Sequence, residues 1–328
     1  MIDLLMRAFV LLPLTLLVAC AADPAPAQPA AASEGPSRAV ALTFDDLPLQ
    51  GRPYDVGCDA AALLAMHDRL LAGLAAHGAP AVGFVNEGRA CEALPAGTLE
   101  AVLTRWLDAG HDLGNHTATH PDLVRISAED FTADILRGEA LTRRLVEARG
   151  GRLRYFRHPY LHAGDTPEKK AAVEAFLAER GYTIAPVTLD SDEWVFAAAY
   201  ARAVAEADTA TAQRLRTEYV AWTEAVVAHF EGWSREVLGY ELPQVALLHA
   251  NLLNADTIGE LAAMFARRGY RFVSLEEALR DPVYARPDPY VGRYGNSWLH
   301  RWARGAGLEV RWEPGAPDWV TAYYEAGR

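Results

Sequence analysis

The sequence is poor in cysteine, in positive charge and in long apolar runs. Three cysteines in 328 residues leave room for one disulfide at most. Lys and Arg together number 31 against 43 Asp and Glu, a net charge of -12. Such a surface repels phosphate, which argues against nucleic acid as a partner and against docking on an anionic membrane through basic patches. No stretch is apolar for the roughly 20 residues that a membrane-crossing helix needs. No internal repeat is visible. What remains is the composition of an ordinary folded protein, 51% hydrophobic and 23% charged, neither disordered nor fibrous. The length allows one large α/β domain or two small ones.

The first twenty residues differ from the rest. Arg7 is followed by an apolar run from Ala8 to Ala19, interrupted by Pro13. This suits the core of a signal peptide, residues 1–20, and so an exported protein of the periplasm or cell envelope. Asp3 is unusual in such a leader, and a start at Met6 reads more cleanly. The run ends Leu17-Val18-Ala19-Cys20, which resembles a lipoprotein signal with Cys20 lipidated. A lipid there would be the only membrane anchor; simple cleavage within Ala19–Ala22 is the alternative. Residues 21–37 are rich in Ala, Pro, Ser and Gly and read as a flexible tether. In an oxidising compartment the two remaining cysteines, Cys58 and Cys91, are expected to pair. Their bridge would contribute about 3–4 kcal/mol in the chain-entropy model.

From residue 38 apolar runs alternate with helical patterns. Strands are expected near 39–44, 81–85, 111–114, 153–156, 182–186, 245–248 and 270–273. Helices are expected over 59–77, 97–109, 127–149, 167–180 and 255–268, most of them ended by glycine. This order implies βα units and about seven parallel strands, in a doubly wound sheet or a barrel. Polar residues just after a strand then sit at the edge where sites are built. Residues 197–243 read as an inserted, solvated helical hairpin. Residues 281–328 carry Trp298, Trp302, Trp312 and Trp319, and read as an extension wrapped on the domain of residues 38–280.

The strand ends carry chemistry. Asp45-Asp46 follow the first strand, where alternation would let one carboxylate bind a metal and leave the other free as a base. His116 and His120 are four apart, so on a helical turn both would face one way. Two His and one carboxylate with an open position is the donor set of hydrolytic zinc sites. Arg157 and His158 follow the fourth strand, and Arg157 could grip a carboxylate. Asp190, Asp192 and Glu193 stand beside Trp194 after the fifth. His249 ends the next strand and could act as a general acid. His111 reads as a structural hydrogen-bonder; His67, His77, His229 and His300 are given no chemistry; His158 and His162 flank the site, and His158 is placed with the substrate contacts.

Five segments in this order, Thr-Phe-Asp-Asp (43–46), His-Thr-x-x-His (116–120), Arg-x-Pro-Tyr (157–160), Asp-Ser-x-x-Trp (190–194) and Leu-x-His (247–249), resemble the polysaccharide deacetylase family. This is the NodB-homology domain of carbohydrate esterase family 4, and the resemblance covers roughly residues 38–275. It implies a distorted (β/α)-barrel and a metal held by Asp46, His116 and His120, Zn²⁺ with Co²⁺ or Mn²⁺ as alternatives. It implies Asp45 as base, tethered by Arg157, His249 as acid, and a main-chain N–H near Tyr160 in the oxyanion hole. Trp194 would wall the groove. Leu161 stands where the family has Gly, His158 where it has Pro, and Glu193 where an Asp supports the arginine, a role that Asp190 or Asp192 could share.

The expected function is removal of N-acetyl groups from an acetylated carbohydrate, such as peptidoglycan or a chitin-like polymer, by a monomer. An O-acetyl esterase of xylan type, a small-molecule amidase and a non-catalytic carbohydrate-binding lipoprotein are the rival readings.

Overall fold

The computed structural model describes residues 38–51, 56 and 58–327. The expected signal peptide, tether and Cys20 lie outside the described residues. Arg38–Leu47 forms β1, a ten-residue strand whose side chains are buried from Ala39 onward. A run buried on both faces is the mark of a central parallel strand. After β1 come α1 (Ala60–Ala76), β2 (Ala81–Val85), α2 (Thr98–Asp108) and β3 (Asp112–Asn115). Then follow α3 (Ala128–Arg137), α4 (Ala140–Glu147), β4 (Tyr155–Phe156), α5 (Pro167–Glu179) and β5 (Thr183–Ile184). The second half holds α6 (Glu193–Ala205), α7 (Thr209–Leu238), β6 (Gln244–His249), α8 (Leu252–Arg267), β7 (Tyr270–Phe272), α9 (Leu275–Ala278), α10 (Trp298–Gly305) and α11 (Asp318–Glu325).

All the strand pairings are parallel, in the order β5-β4-β3-β2-β1-β6, and β7 pairs with the start of β1. The sheet curls back on itself. Beyond β5 the chain runs on to Leu189, which pairs in parallel with Ala246 of β6. Thr188 N–H donates to Val245 O at 3.0 Å, and Leu247 N–H to Leu189 O at 3.0 Å. The result is a distorted (β/α)-barrel, and the strand ends that carry polar residues meet at one mouth.

The helix expected over 127–149 is two helices, α3 and α4. The break falls at Gly138, where a Cβ would lie 2.3 Å from the Thr117 carbonyl carbon and 2.4 Å from Ala118 N. Glycine lets the helix junction press against the 117–118 backbone. The helices α6 and α7 stand where a solvated hairpin was expected, but they are core. Phe196, Leu215, Tyr219, Val226, Val227 and Phe230 are fully buried in the main apolar cluster, each contributing about 1.5–3 kcal/mol on transfer from water. The C-terminal extension wraps the domain: Trp298 and Trp302 are buried, and Arg301 donates to Leu161 O at 2.6 Å. His67 is structural. It donates from Nε2 to Pro48 O at 2.8 Å and accepts from Trp106 Nε1 at 3.0 Å. His111 likewise accepts the Ala81 N–H. Cys58 and Cys91 are joined, with Cα atoms 5.6 Å apart. Among the described residues no helix is long and apolar enough to cross a membrane.

Candidate metal centre and active-site cleft

A cleft of about 580 Å³ opens at the barrel mouth, lined by Asp45, Asp46, His120, Tyr160, Trp194 and His249 among others. Asp45 and Asp46 both face it, rather than opposite sides. The β1–β2 register shifts between Phe44 and Leu47, and Asp46 takes a left-handed φ of 65°. This irregularity replaces strict alternation. His116 Nε2 consequently lies 3.7 Å from Asp45 Oδ2 and 3.8 Å from Asp46 Oδ1.

His116 and His120 meet on a bent loop, not on a helical turn. Thr117 and His120 have φ of 70° and 58°, which non-glycine residues adopt only when the surroundings enforce it. The enforcement is visible. Buried Asp134 accepts the Ala118 and Thr119 N–H groups at 3.0 and 2.9 Å. Thr117 Oγ1 accepts the His120 N–H at 3.0 Å, and Asn86 donates to the carbonyl oxygen of His116. His116 Nδ1 donates to Arg157 O at 2.7 Å, which fixes the tautomer and turns the Nε2 lone pair inward. One donor atom each from Asp46, His116 and His120 lies within 4.8 Å of the others. Burial and the neighbouring His120 hold the His116 imidazole neutral. Burial disfavours the Asp46 carboxylate, but His120, Arg89 and His116 outweigh it and keep it ionised. Two neutral imidazoles and one carboxylate fit a divalent cation.

Arg157 is fully buried. It donates from Nη1 to both oxygens of Asp45 at 3.3 Å, from Nη2 to Thr43 Oγ1 at 3.0 Å, and from Nε to Ala185 O at 3.0 Å. Burial pushes Asp45 up to about 6, against the pull of Arg157 and His249. Glu193 does not support Arg157, whose donors are already taken. It accepts His249 Nδ1–H at 2.6 Å, and the side-chain amides of Asn251 and Asn254 at 2.6 and 2.7 Å. The extra methylene relative to Asp carries its carboxylate to His249. Burial pulls the His249 imidazole down, but the Glu193 carboxylate outweighs it and raises it to about 9.

Tyr160 is exposed at the mouth with its ring 4.5 Å from that of His120, and Trp194 stands half-exposed. His158 is not at the cleft. It is buried, stacked on Phe131, and lines a separate cavity beside Lys170 and Asp288. Asp190 and Asp192 line the cleft without bonding Arg157; Asp190 Oδ1 accepts the Ser191 N–H. Residues with no motif complete the site. Arg89 donates to Asp46 Oδ1 at 2.9 Å. Tyr219 of α7 donates to Asn254 at 2.9 Å, so the added helices brace the Glu193–His249 pair. The C-terminal extension supplies Gly295 and Glu313 to the cleft wall. A Cβ at Gly295 would meet Tyr160 O at 2.0 Å.

A chitin deacetylase of Colletotrichum lindemuthianum is 30% identical over 155 residues, 47% of this chain and 52% of that protein. A peptidoglycan-N-acetylglucosamine deacetylase of Bacillus cereus is 27% identical over 156 residues, 47% of this chain and 46% of that one. The aligned region thus spans about half the length of these curated relatives. Among solved structures, a family 4 carbohydrate esterase from Streptomyces lividans, in complex with acetate, aligns at TM-score 0.46 and 23% identity, covering 74% of this chain and 96% of that one. The family model for polysaccharide deacetylase matches residues 32–176, which include Asp45, Asp46, His116, His120 and Arg157, while Glu193, Trp194 and His249 lie beyond the match. Over residues 32–176 this chain is therefore similar to the polysaccharide deacetylase family.

Proposed function

We propose that the protein is a metal-dependent hydrolase that removes N-acetyl groups from an acetylated carbohydrate. One observation carries this reading. A two-His, one-carboxylate donor set stands in one cleft with an arginine-tethered carboxylate and a glutamate-tethered imidazole. Asp46, His116 and His120 would hold the cation, Zn²⁺ or in its place Co²⁺ or Mn²⁺. When bound, it would supply Lewis acidity toward the acyl oxygen and acidify water.

The side chains divide the remaining work. Asp45 takes the proton of the attacking water; Arg157 fixes the direction of that carboxylate and holds it in a single orientation. His249 is kept as imidazolium by Glu193, with Nδ1 committed to that carboxylate, so Nε2 carries the proton for the departing amine. Without it the C–N bond would have to expel an amide anion. The main chain at Tyr160, in a left-handed turn at the cleft wall, would donate to the developing oxyanion. Trp194 and the Tyr160 ring offer apolar faces to a sugar ring.

The test is acetate release from chitooligosaccharides, peptidoglycan and acetylated xylan, with Zn²⁺ and after chelation. Release from an N-acetylated polymer that vanishes with chelator and returns with metal is expected. Release confined to acetylated xylan would move the assignment to O-acetyl esterase. No release from any polymer would leave a small amide or a binding role.

A further inference from the structure

Away from the strand ends, on two helices and the C-terminal extension, stands another group of metal-ligating side chains. His229 on α7, His300 on α10 and Glu313 in the segment before α11 each place one donor atom within 4.8 Å of the others. We propose that these three residues form a second divalent-metal site, distinct from Asp46–His116–His120, that binds an ion of Zn²⁺ type and pins the C-terminal extension to α7.

Three observations carry it. First, His229 Nε2 and Glu313 Oε2 are shielded from solvent and have no hydrogen-bond partner. Buried polar atoms are almost always paired, because leaving one unpaired costs free energy. A cation between them satisfies both. Second, His300 is almost fully buried, with Nε2 3.7 Å from Glu313 Oε2 and Nδ1 3.1 Å from Ser297 Oγ. Metal-bound histidines typically give their outer nitrogen such a partner, which aims the inner one. Nε2 also lies 2.9 Å from Arg311 O. Ligation through Nε2 puts the neutral ring in its Nδ1–H tautomer, with that N–H donated to Ser297 Oγ, and leaves the Arg311 carbonyl oxygen beside the ion as a further oxygen donor.

Third, the surroundings favour a cation. The rings of Trp312, Phe230 and Trp233 lie 5.0, 5.7 and 6.3 Å from the His300 ring. The Arg311 guanidinium is turned away onto Glu236 at 2.8 Å. The nearby carboxylates of Asp190 and Asp192 add negative potential at Glu313. Two imidazoles and one carboxylate select a borderline ion such as Zn²⁺ over Ca²⁺ or Mg²⁺. Glu313 also lines the cleft, so the ion would fix the piece of the extension that forms that wall. The proposal does not depend on the deacetylase reading.

The experiment strips the full chain with chelator, titrates it with Zn²⁺ by equilibrium dialysis, and follows the thermal midpoint. Two Zn²⁺ per chain are expected. His229→Ala and the gentler Glu313→Gln should each weaken one of them at least tenfold and remove most of the Zn²⁺-dependent rise in thermal midpoint. His116→Ala should lose the other ion and keep the share of the rise that His229→Ala and Glu313→Gln remove. One ion per chain, lost in His116→Ala and untouched by His229→Ala and Glu313→Gln, would overturn the proposal. So would two ions that neither of those variants affects, or no bound ion at all. One ion that follows His229 and not His116 would uphold this site and sink the cleft as a metal centre.

Discussion

The two His-and-carboxylate clusters hold the same donors in opposite ways. Around Asp46, His116 and His120, the supporting atoms are engaged. His116 Nδ1 is held by the Arg157 carbonyl, the 117–119 backbone by Asp134, and Asp46 by Arg89. The donors rise from strand ends and a strained loop, and their positions are set by hydrogen bonds. Around His229, His300 and Glu313, the donors come from two helices and an extension, and two of their atoms are left without partners. That group is brought together by helix packing. The difference is one of preorganisation: the first cluster is aimed before any ligand arrives, while the second gains its missing partners from the ligand.

The largest test of this contrast separates chemistry from binding at the first cluster. Asp45 lies beside the donors without being one of them, so Asp45→Asn should lower kcat by roughly 10²–10⁴ and leave Zn²⁺ stoichiometry unchanged. Steady-state kinetics with metal analysis of the same sample decides it. If the variant keeps most of its activity, Asp45 is not the base. If it loses the ion, the two neighbouring carboxylates act as one ligand set.

Next in size is the buried support. Asp134→Asn keeps the shape of the side chain but removes its charge and one of two accepting oxygens, Oδ2 for the Ala118 and Thr119 N–H groups and Oδ1 for the Thr119 hydroxyl. Zn²⁺ affinity at the first cluster should fall about 10–100-fold, the usual cost of losing an outer partner. Affinity at the second should not change. Competition titrations on the single variant read both values. Equal weakening of the two clusters would mean general loosening rather than loss of aim.

A smaller, pH-dependent effect tests the acid. His249 has a folded pKa raised to about 9, the carboxylate of Glu193 outweighing burial. As the acid it must be protonated, so activity persists through neutral pH and is lost as pH rises through about 9. Glu193→Gln removes the charge and lowers that pKa toward the ordinary imidazole value. The alkaline limb of kcat should therefore move down by up to about 2 pH units. The acid limb should stay in place. An unchanged alkaline limb would assign it to another group.

Much of this was legible in the sequence, and the parts that were not share a cause. Asp45-Asp46, His116, His120, Arg157 and His249 each follow a short apolar run, and residues just past a parallel strand collect at one mouth of the sheet. The pairing of Glu193 was misread because only the fold shows that the donors of Arg157 are already taken by Asp45, Thr43 and Ala185. The helix split at Gly138 depends on contact with Thr117, twenty-one residues earlier. His158 sits in an apolar environment built by Phe131 and Phe156, which no local pattern announces. The helices α6 and α7 looked solvated because their alanines and charges dominate the composition, while Tyr219 and Phe230 bury the face that matters. His229, His300 and Glu313 are scattered over 85 residues with no motif spacing, so nothing short of the packed structure unites them.

The smallest effect expected is at Arg89, and it bears on how complete the first cluster is without an ion. Arg89 donates to the same Asp46 oxygen that His116 Nε2 and His120 Nε2 approach at 3.8 and 3.5 Å. A guanidinium in that place compensates the carboxylate charge and competes for the lone pairs a metal would use. Near a partly exposed surface such a pair contributes little, about 1 kcal/mol or less. Arg89→Ala should thus tighten Zn²⁺ at the first cluster by a few-fold and leave the second as it was. A calorimetric titration distinguishes this from the opposite case. If Arg89→Ala weakens the ion instead, the arginine positions Asp46 for the metal rather than substituting for it, and belongs with Asp134 among the groups that aim the site.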